Sequence, residues 1–148
     1  GWFNAFIFVF SNVSTKSFAW GRSSAGTAIE LMRITRDGQL GINQAVPTAQ
    51  LDVKGSGSTS ATTSFLVENS SATELFKVLD DGGIGVGTAT PNSSALIDMT
   101  STTKGFLPPK MTTTEMNAIG SPASGLMIFD RVTSQWMGYD GASWVIIG

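Results

Sequence analysis

The sequence predicts an all-β chain whose strands are too short to bury a core alone, and three observations predict it. Ser, Thr and Gly together fill about a third of the 148 residues, a composition that favours turns and extended chain over helix. Apolar residues fall in short runs between these polar stretches, which is strand length and not helix length. Finally, a stretch is written twice: Leu31 to Pro47 returns as Leu75 to Pro91, with Asp37/Asp81, Gly38/Gly82, Gly41/Gly85, Ala45/Ala89 and Pro47/Pro91 identical and Arg33/Lys77, Ile34/Val78, Leu40/Ile84 and Ile42/Val86 alike in chemistry. A period of this length marks a repeat architecture.

Residues 1–20 form an aromatic-rich entry, of which Gly1–Phe10 is the most apolar part. It has no basic flank, so it is a poor signal peptide, and it reaches about half of the ~20 residues that a helix needs to span a bilayer. It reads as a buried strand, or as a donor strand completing a neighbouring subunit's sheet. Residues 21–99 read as a two-repeat β stalk, interrupted by a Gly/Ser/Thr connector at 55–64 with too little apolar surface to fold alone.

Each repeat predicts a strand, a tight turn and a second strand. Met32–Arg36, Asp37-Gly38 and Leu40–Ile42 fill the three roles in the first copy; Leu75–Leu79, Asp80–Gly83 and Ile84–Gly87 fill them in the second. Pro47 and Pro91 are expected to end the second strand, where no ladder N–H is needed. Ile84-Gly85-Val86-Gly87 alternates branched side chains with glycines, so one face is apolar and the other lets a backbone approach closely. One hairpin of this size is marginal in water. Several copies sharing their thin apolar stripes would supply the missing core, with Leu31, Ile34, Gly41, Ile42, Leu75, Val78, Gly85 and Val86 as the candidate core positions.

Residues 100–148 change texture. Pro108-Pro109 fixes Lys104–Met111 as extended chain, and Thr112 followed by Glu115 has capping-box spacing ahead of a short helix through about Ile119. Gly125–Asp130, Gln135–Tyr139 and Ser143–Ile147 read as a β-meander, its last turn made by Asp140-Gly141. Trp136 and Trp144 flank that turn, where a cross-strand aromatic pair is ordinary packing. Aromatic faces with polar tips also suit sugar or protein recognition, so Gln135, Trp136, Tyr139, Asp140 and Trp144 are candidate receptor contacts.

Several chemistries are excluded or disfavoured. Nine basic residues face eleven acidic ones with no run of either sign, which argues against a nucleic-acid partner and against membrane association. The chain has neither His nor Cys, which removes Ser-His-Asp and Cys-His catalysis and the usual zinc ligands. Gly83–Gly87 lacks the third glycine of a dinucleotide loop and any Gly-Lys-Ser/Thr. Asp80, Asp81, Asp130 and Asp140 all sit in predicted turns, where Asp is favoured for backbone reasons. The expectation is therefore no enzyme, no cofactor and no metal site.

The Asp-Gly, Gly-Ile-Gly, Pro, Leu-Asp-Val pattern of 37–53 and 81–99, followed by Lys104–Ile119 and by Ser121–Asp130 with Tyr139–Val145, resembles the stalk and distal tip of bacteriophage tail-fibre and related virion fibre proteins. The resemblance covers roughly residues 31–148. It implies an elongated homotrimeric fibre at the virion surface, an extracellular position, built of short β-hairpin repeats and a small C-terminal β-meander with one short helix. It further implies other virion structural proteins as partners and a host surface glycan or protein as the receptor. This sequence departs from the pattern by two extra residues between Pro91 and Asp98. The competing reading is a structural filament or decoration protein, assembled by insertion of residues 1–10 into the next subunit and without receptor binding.

Overall fold

The structure, a computed structural model, describes residues 17–24 and 27–148. Gly1–Phe10, with its donor-strand alternative, lies outside the described residues. The chain divides into two compact units, Gly1–Ser101 and Thr102–Gly148, and its described residues form twelve strands and one short helix. The all-β expectation holds.

The first unit contains two four-stranded sheets of one plan. β1 (Phe18–Ser24), β2 (Thr27–Ile34) and β3 (Leu40–Ile42) form an antiparallel meander, and β4 (Leu51–Val53) joins the free edge of β3 in parallel. β5 (Thr63–Glu68), β6 (Glu74–Leu79), β7 (Ile84–Val86) and β8 (Ile97–Met99) repeat that order and sense. The repeat is therefore four strands, not the two-stranded hairpin the sequence suggests. Leu51-Asp-Val53 was hard to read as a sheet member because adjacent parallel strands ordinarily need a crossover of a dozen or more residues.

The turns repeat down to single hydrogen bonds. Thr35 N–H donates to Gln39 O at 2.9 Å and Gly38 N–H to Thr35 O at 3.0 Å; Leu79 to Gly83 at 2.8 Å and Gly82 to Leu79 at 3.0 Å are their counterparts. Gly38 (φ +81°) and Gly82 (φ +94°) hold the left-handed position that these turns demand. A second such position explains a mismatch between the copies. Asn43 (φ +54°) stands where the second copy has Gly87 (φ +71°), and Asn is among the few side chains that accept this region. Each bends the chain out of the sheet while donating its N–H back to β2 or β6, Asn43 to Leu31 O and Gly87 to Leu75 O.

Pro47 and Pro91 do not end the strands. β3 and β7 stop at Ile42 and Val86, and the prolines lie within the crossover loops that follow. The 55–64 connector is likewise shorter than its composition implies, since Thr63 and Ser64 already belong to β5. Asp80 ties it down: its carboxylate accepts from Gly57 N–H at 2.7 Å and from the Ser64 hydroxyl, and its own N–H donates to Thr62 O at 3.0 Å.

In the second unit β9 (Lys110–Met111) precedes α1 (Thr113–Asn117), and β10 (Met127–Asp130), β11 (Gln135–Tyr139) and β12 (Trp144–Ile146) form the expected antiparallel meander. β9 adds to β10 in parallel, giving the order β12-β11-β10-β9. The capping box is present at Thr112 and Glu115. The helix stops at Asn117, two residues short of the expected Ile119, with Ala118 as its C-cap. Met116 packs it over the sheet, where Ile128 and Asp130 are almost wholly buried.

Candidate assembly surface and C-terminal cleft

Cross-strand register collects the apolar residues of each repeat onto one face. In the first sheet Phe18, Ile34, Leu40 and Leu51 lie side by side across the four strands, and Trp20, Met32, Ile42 and Val53 form the next row. In the second sheet the rows are Phe65, Val78, Ile84, Ile97 and Val67, Phe76, Val86, Met99. Neither face carries a polar side chain in these rows. Yet nothing within the described chain covers them: Phe18, Trp20, Ile34, Leu51, Phe65, Val67, Phe76, Val86, Ile97 and Met99 are 36–52% exposed. Aromatic pairs stiffen each face, Phe18 on Trp20 at 5.6 Å and Phe65 on Phe76 at 6.2 Å between ring centres, both edge to face. Burying the exposed half of such a side chain contributes about 1 kcal/mol.

The opposite face is built differently. Its rows run Ala19, Arg33, Gly41, Asp52 and Leu66, Lys77, Gly85, Asp98. The glycine makes room for the chain's own crossover loop. A Cβ on Gly41 would run into the Gln44 carbonyl oxygen, and one on Gly85 would meet the Pro91 ring at 2.7 Å and Thr88 O at 3.0 Å. The aspartate fastens the same loop, Asp52 accepting from Thr48 N–H at 2.9 Å and Asp98 from Asn92 N–H at 2.9 Å. Lys77, nearly buried, donates to Ala89 O at 2.9 Å and pairs with Glu74 at 2.6 Å, while Arg33 pairs with Glu30 at 2.7 Å.

The candidate core positions are thus split between two faces. Ile34, Ile42, Val78 and Val86 lie in the uncovered apolar rows and Gly41 and Gly85 on the loop-bearing face, whereas Leu31 and Leu75 sit unpaired at the β-bulges where the register of β2 and β6 shifts. The backbone that approaches Gly41 and Gly85 in this structure is intrachain. Sequence reasoning missed Phe18, Trp20, Met32, Leu51, Val53 and their second-repeat counterparts as members of the apolar face. The signal was the apolar, X, apolar spelling of Leu40–Ile42, Leu51–Val53, Ile84–Val86 and Ile97–Met99, which puts both ends of each short strand on one side.

In the second unit the expected Trp136–Trp144 pair does not form. Tyr139 opposes Trp144, and Phe129 opposes Trp136, each pair edge to face, at 5.4 Å and 5.9 Å. Alternation along β11 then sends Trp136 to one sheet face and Gln135 and Tyr139 to the other, beside α1. Trp144 goes with Tyr139, and Asp140 sits in the turn between their strands. Tyr139 and Trp144 form one wall of a cleft of about 440 Å³ whose other lining includes Met116, Asn117, Pro122 and Ser143. No Asp, Glu, Lys or Arg lines it.

The turn carboxylates are occupied by local hydrogen bonds. Asp130 accepts from Thr113 Oγ1 at 2.6 Å and Val132 N–H at 2.8 Å; Asp140 accepts from Ala142 and Ser143 N–H, both at 2.8 Å; Asp81 accepts from Gly83 N–H at 3.0 Å. These bonds to the ionised form hold Asp130 below the usual carboxylate range, chiefly through Thr113, and Asp140 likewise, chiefly through the Ser143 N–H. The Ser64 hydroxyl does the same for Asp80, and the Thr112 N–H for Glu115. Among the described residues no three acidic side chains gather as a metal site, and no helix is long and apolar enough to cross a membrane.

Residues 85–148 match the family described as Phage tail like trimerisation region. The matched segment takes in the last two residues of β7, all of β8 and the whole second unit. No curated protein matches the chain. The family match supports a phage tail-like structural protein that associates with itself as a homotrimer and forms part of a virion.

Proposed function

We propose that the chain is a fibre subunit of a phage tail-like particle, trimerising through its apolar sheet faces and contacting the host cell surface through its C-terminal unit. The observation that carries the reading is the pair of four-strand apolar faces left half exposed in a single chain. Soluble monomers rarely leave contiguous apolar surface of this kind open. Three copies bring three such faces together, and the matched trimerisation segment supplies the copy number.

Attachment then works by avidity. Three weak sites held on one trimer engage a surface together, and the effective concentration of the second and third sites replaces the need for a strong single contact. Tyr139 and Trp144 in the cleft wall, Asp140 in the turn between their strands and Gln135 on the same sheet face are the residues assigned to that contact. The ligand is a host surface glycan or protein, and no reaction, metal or cofactor is involved.

The test is adsorption of the labelled full chain to a panel of bacterial cells, beside Tyr139→Ala and Trp144→Ala variants of unchanged oligomeric mass. Saturable binding that both substitutions weaken is the expected result. Trimers that bind no cell in the panel, or that bind equally well without either ring, would remove the attachment role and leave a structural subunit.

A further inference from the structure

The two sheet faces of the second unit are not equivalent. One is covered by α1, which packs Met116 over Ile128 and Asp130 and leaves the Tyr139–Trp144 cleft at its edge. The other has no covering element among the described residues. Its rows are Phe129 with Trp136, and Met127 with Gly138 and Val145. Ile147, tied to the sheet by its N–H on Trp136 O at 2.9 Å, lays its side chain across Gly138, where a Cβ would meet it at 2.8 Å. The glycine thereby lets Ile147 lie flat and complete an apolar surface.

That surface is open. Met127 is 47% exposed, Trp136 38%, Val145 41% and Ile147 42%. Lys110, beside Phe129, is the one charged side chain in its rows and stands at the edge strand. We propose that the face bearing Met127, Phe129, Trp136, Val145 and Ile147 is where copies of this chain meet in the C-terminal unit, which makes Trp136 an assembly residue and not a receptor contact.

The inference rests on the homotrimer reading and adds a location to it. The occupant is a second copy of the chain because the whole face lies inside the segment matched to a trimerisation region. Its composition also matches that of the uncovered faces in the two repeats. A charged or strongly polar partner would find nothing to pair with across Met127, Val145 and Ile147. The α1 side, by contrast, is covered by the helix over Ile128 and Asp130, with Ile146 exposed only on the edge strand β12. Placing the contact on the open face leaves the Tyr139–Trp144 cleft facing away from the other copies.

The chain contains no cysteine, so single thiols report contacts without background. Val145→Cys and, two strands away on β10, Met127→Cys are made in the full chain, with Ser143→Cys in the cleft as the comparison. Each is treated with a short bifunctional maleimide after its native mass has been measured. The expected result is covalent joining of chains at Val145 or Met127 and its loss at Ser143. Trimers that cross-link at Ser143 but at neither face position would overturn the proposal while leaving the homotrimer intact. A monomeric parent chain would overturn the homotrimer reading itself, and the proposal with it.

Discussion

The repeats and the C-terminal unit solve the same shortage of core in different ways. The C-terminal unit folds a helix onto its sheet, so that Met116, Ile128 and Asp130 are buried within one chain. The repeats have no such helix. Their glycine rows are covered by crossover loops that contribute mostly polar backbone, and their apolar rows are left open. A short strand with side chains on one face only can therefore be well hydrogen-bonded and still lack a core, because hydrogen bonds contribute little net stability once water is the competitor. On the proposed reading the repeats draw their stability from other copies, whereas part of the C-terminal unit's stability is its own.

The sharpest way to break that contrast is a charge in an apolar row. Val86→Asp places an unpaired carboxylate in the shared surface of every copy, a cost of several kcal/mol at each site. Loss of the trimer is expected, read as a fall in mass by light scattering, and Ile42→Asp should act in the same way. An unchanged oligomer from both variants would show that these faces are not the contact.

Next in size are the loop-bearing glycines. Gly41→Ala and Gly85→Ala each overpack a crossover loop, by about 1–3 kcal/mol. Gly41 should suffer more, because its obstacle is the Gln44 carbonyl of the chain's own backbone, whereas at Gly85 the nearest atom belongs to the Pro91 ring. Thermal unfolding of the two variants orders them, and a reversed order would mean that the loops relax independently of the glycines.

Acid should weaken both regions, the first unit through Asp80 and the C-terminal unit through Asp130, Asp140 and Glu115. The folded pKa of Asp130 lies below its ordinary value. Its contribution is therefore complete above the unfolded value near pH ~4 and is lost as pH falls through the lower folded value. Asp140 and Glu115 are shifted in the same direction. Near-ultraviolet signals from Tyr139 and Trp144 should decay below pH ~4, and Asp130→Asn should flatten that decay while lowering stability at neutral pH. The smallest expected effect is Thr112→Ala, which removes the helix cap for about 1 kcal/mol and should lower the unfolding temperature without changing the oligomer.

Local chemistry was legible in the sequence wherever a few neighbouring residues determine the outcome. Thr112 and Glu115 announce a capped helix start, Asp140-Gly141 announces a turn, and the copied Asp-Gly pairs announce the repeat turns. Features set by register were less legible. The apolar rows draw one residue from each of four strands, and two of those strands, β4 and β8, pair in parallel after unusually short crossovers. The separation of Trp136 from Trp144 was recoverable in principle. Once the turn sets Tyr139 against Trp144, Trp136 must oppose Ile147. The assignment of roles was harder still: the sequence suggested the repeats as the assembly core and residues 100–148 as the receptor tip, while the trimerisation match falls on 85–148. An aromatic cluster serves either purpose, and only the division into a covered and an open face tells Trp136 from Trp144.

The measurement that tests the central claim most directly is the solution mass of the full chain under native conditions. Uncovered apolar faces in every copy predict a concentration-stable species near three times 15.5 kDa. A stable, folded monomer at 15.5 kDa would contradict the account, since it would mean that these faces need no partner.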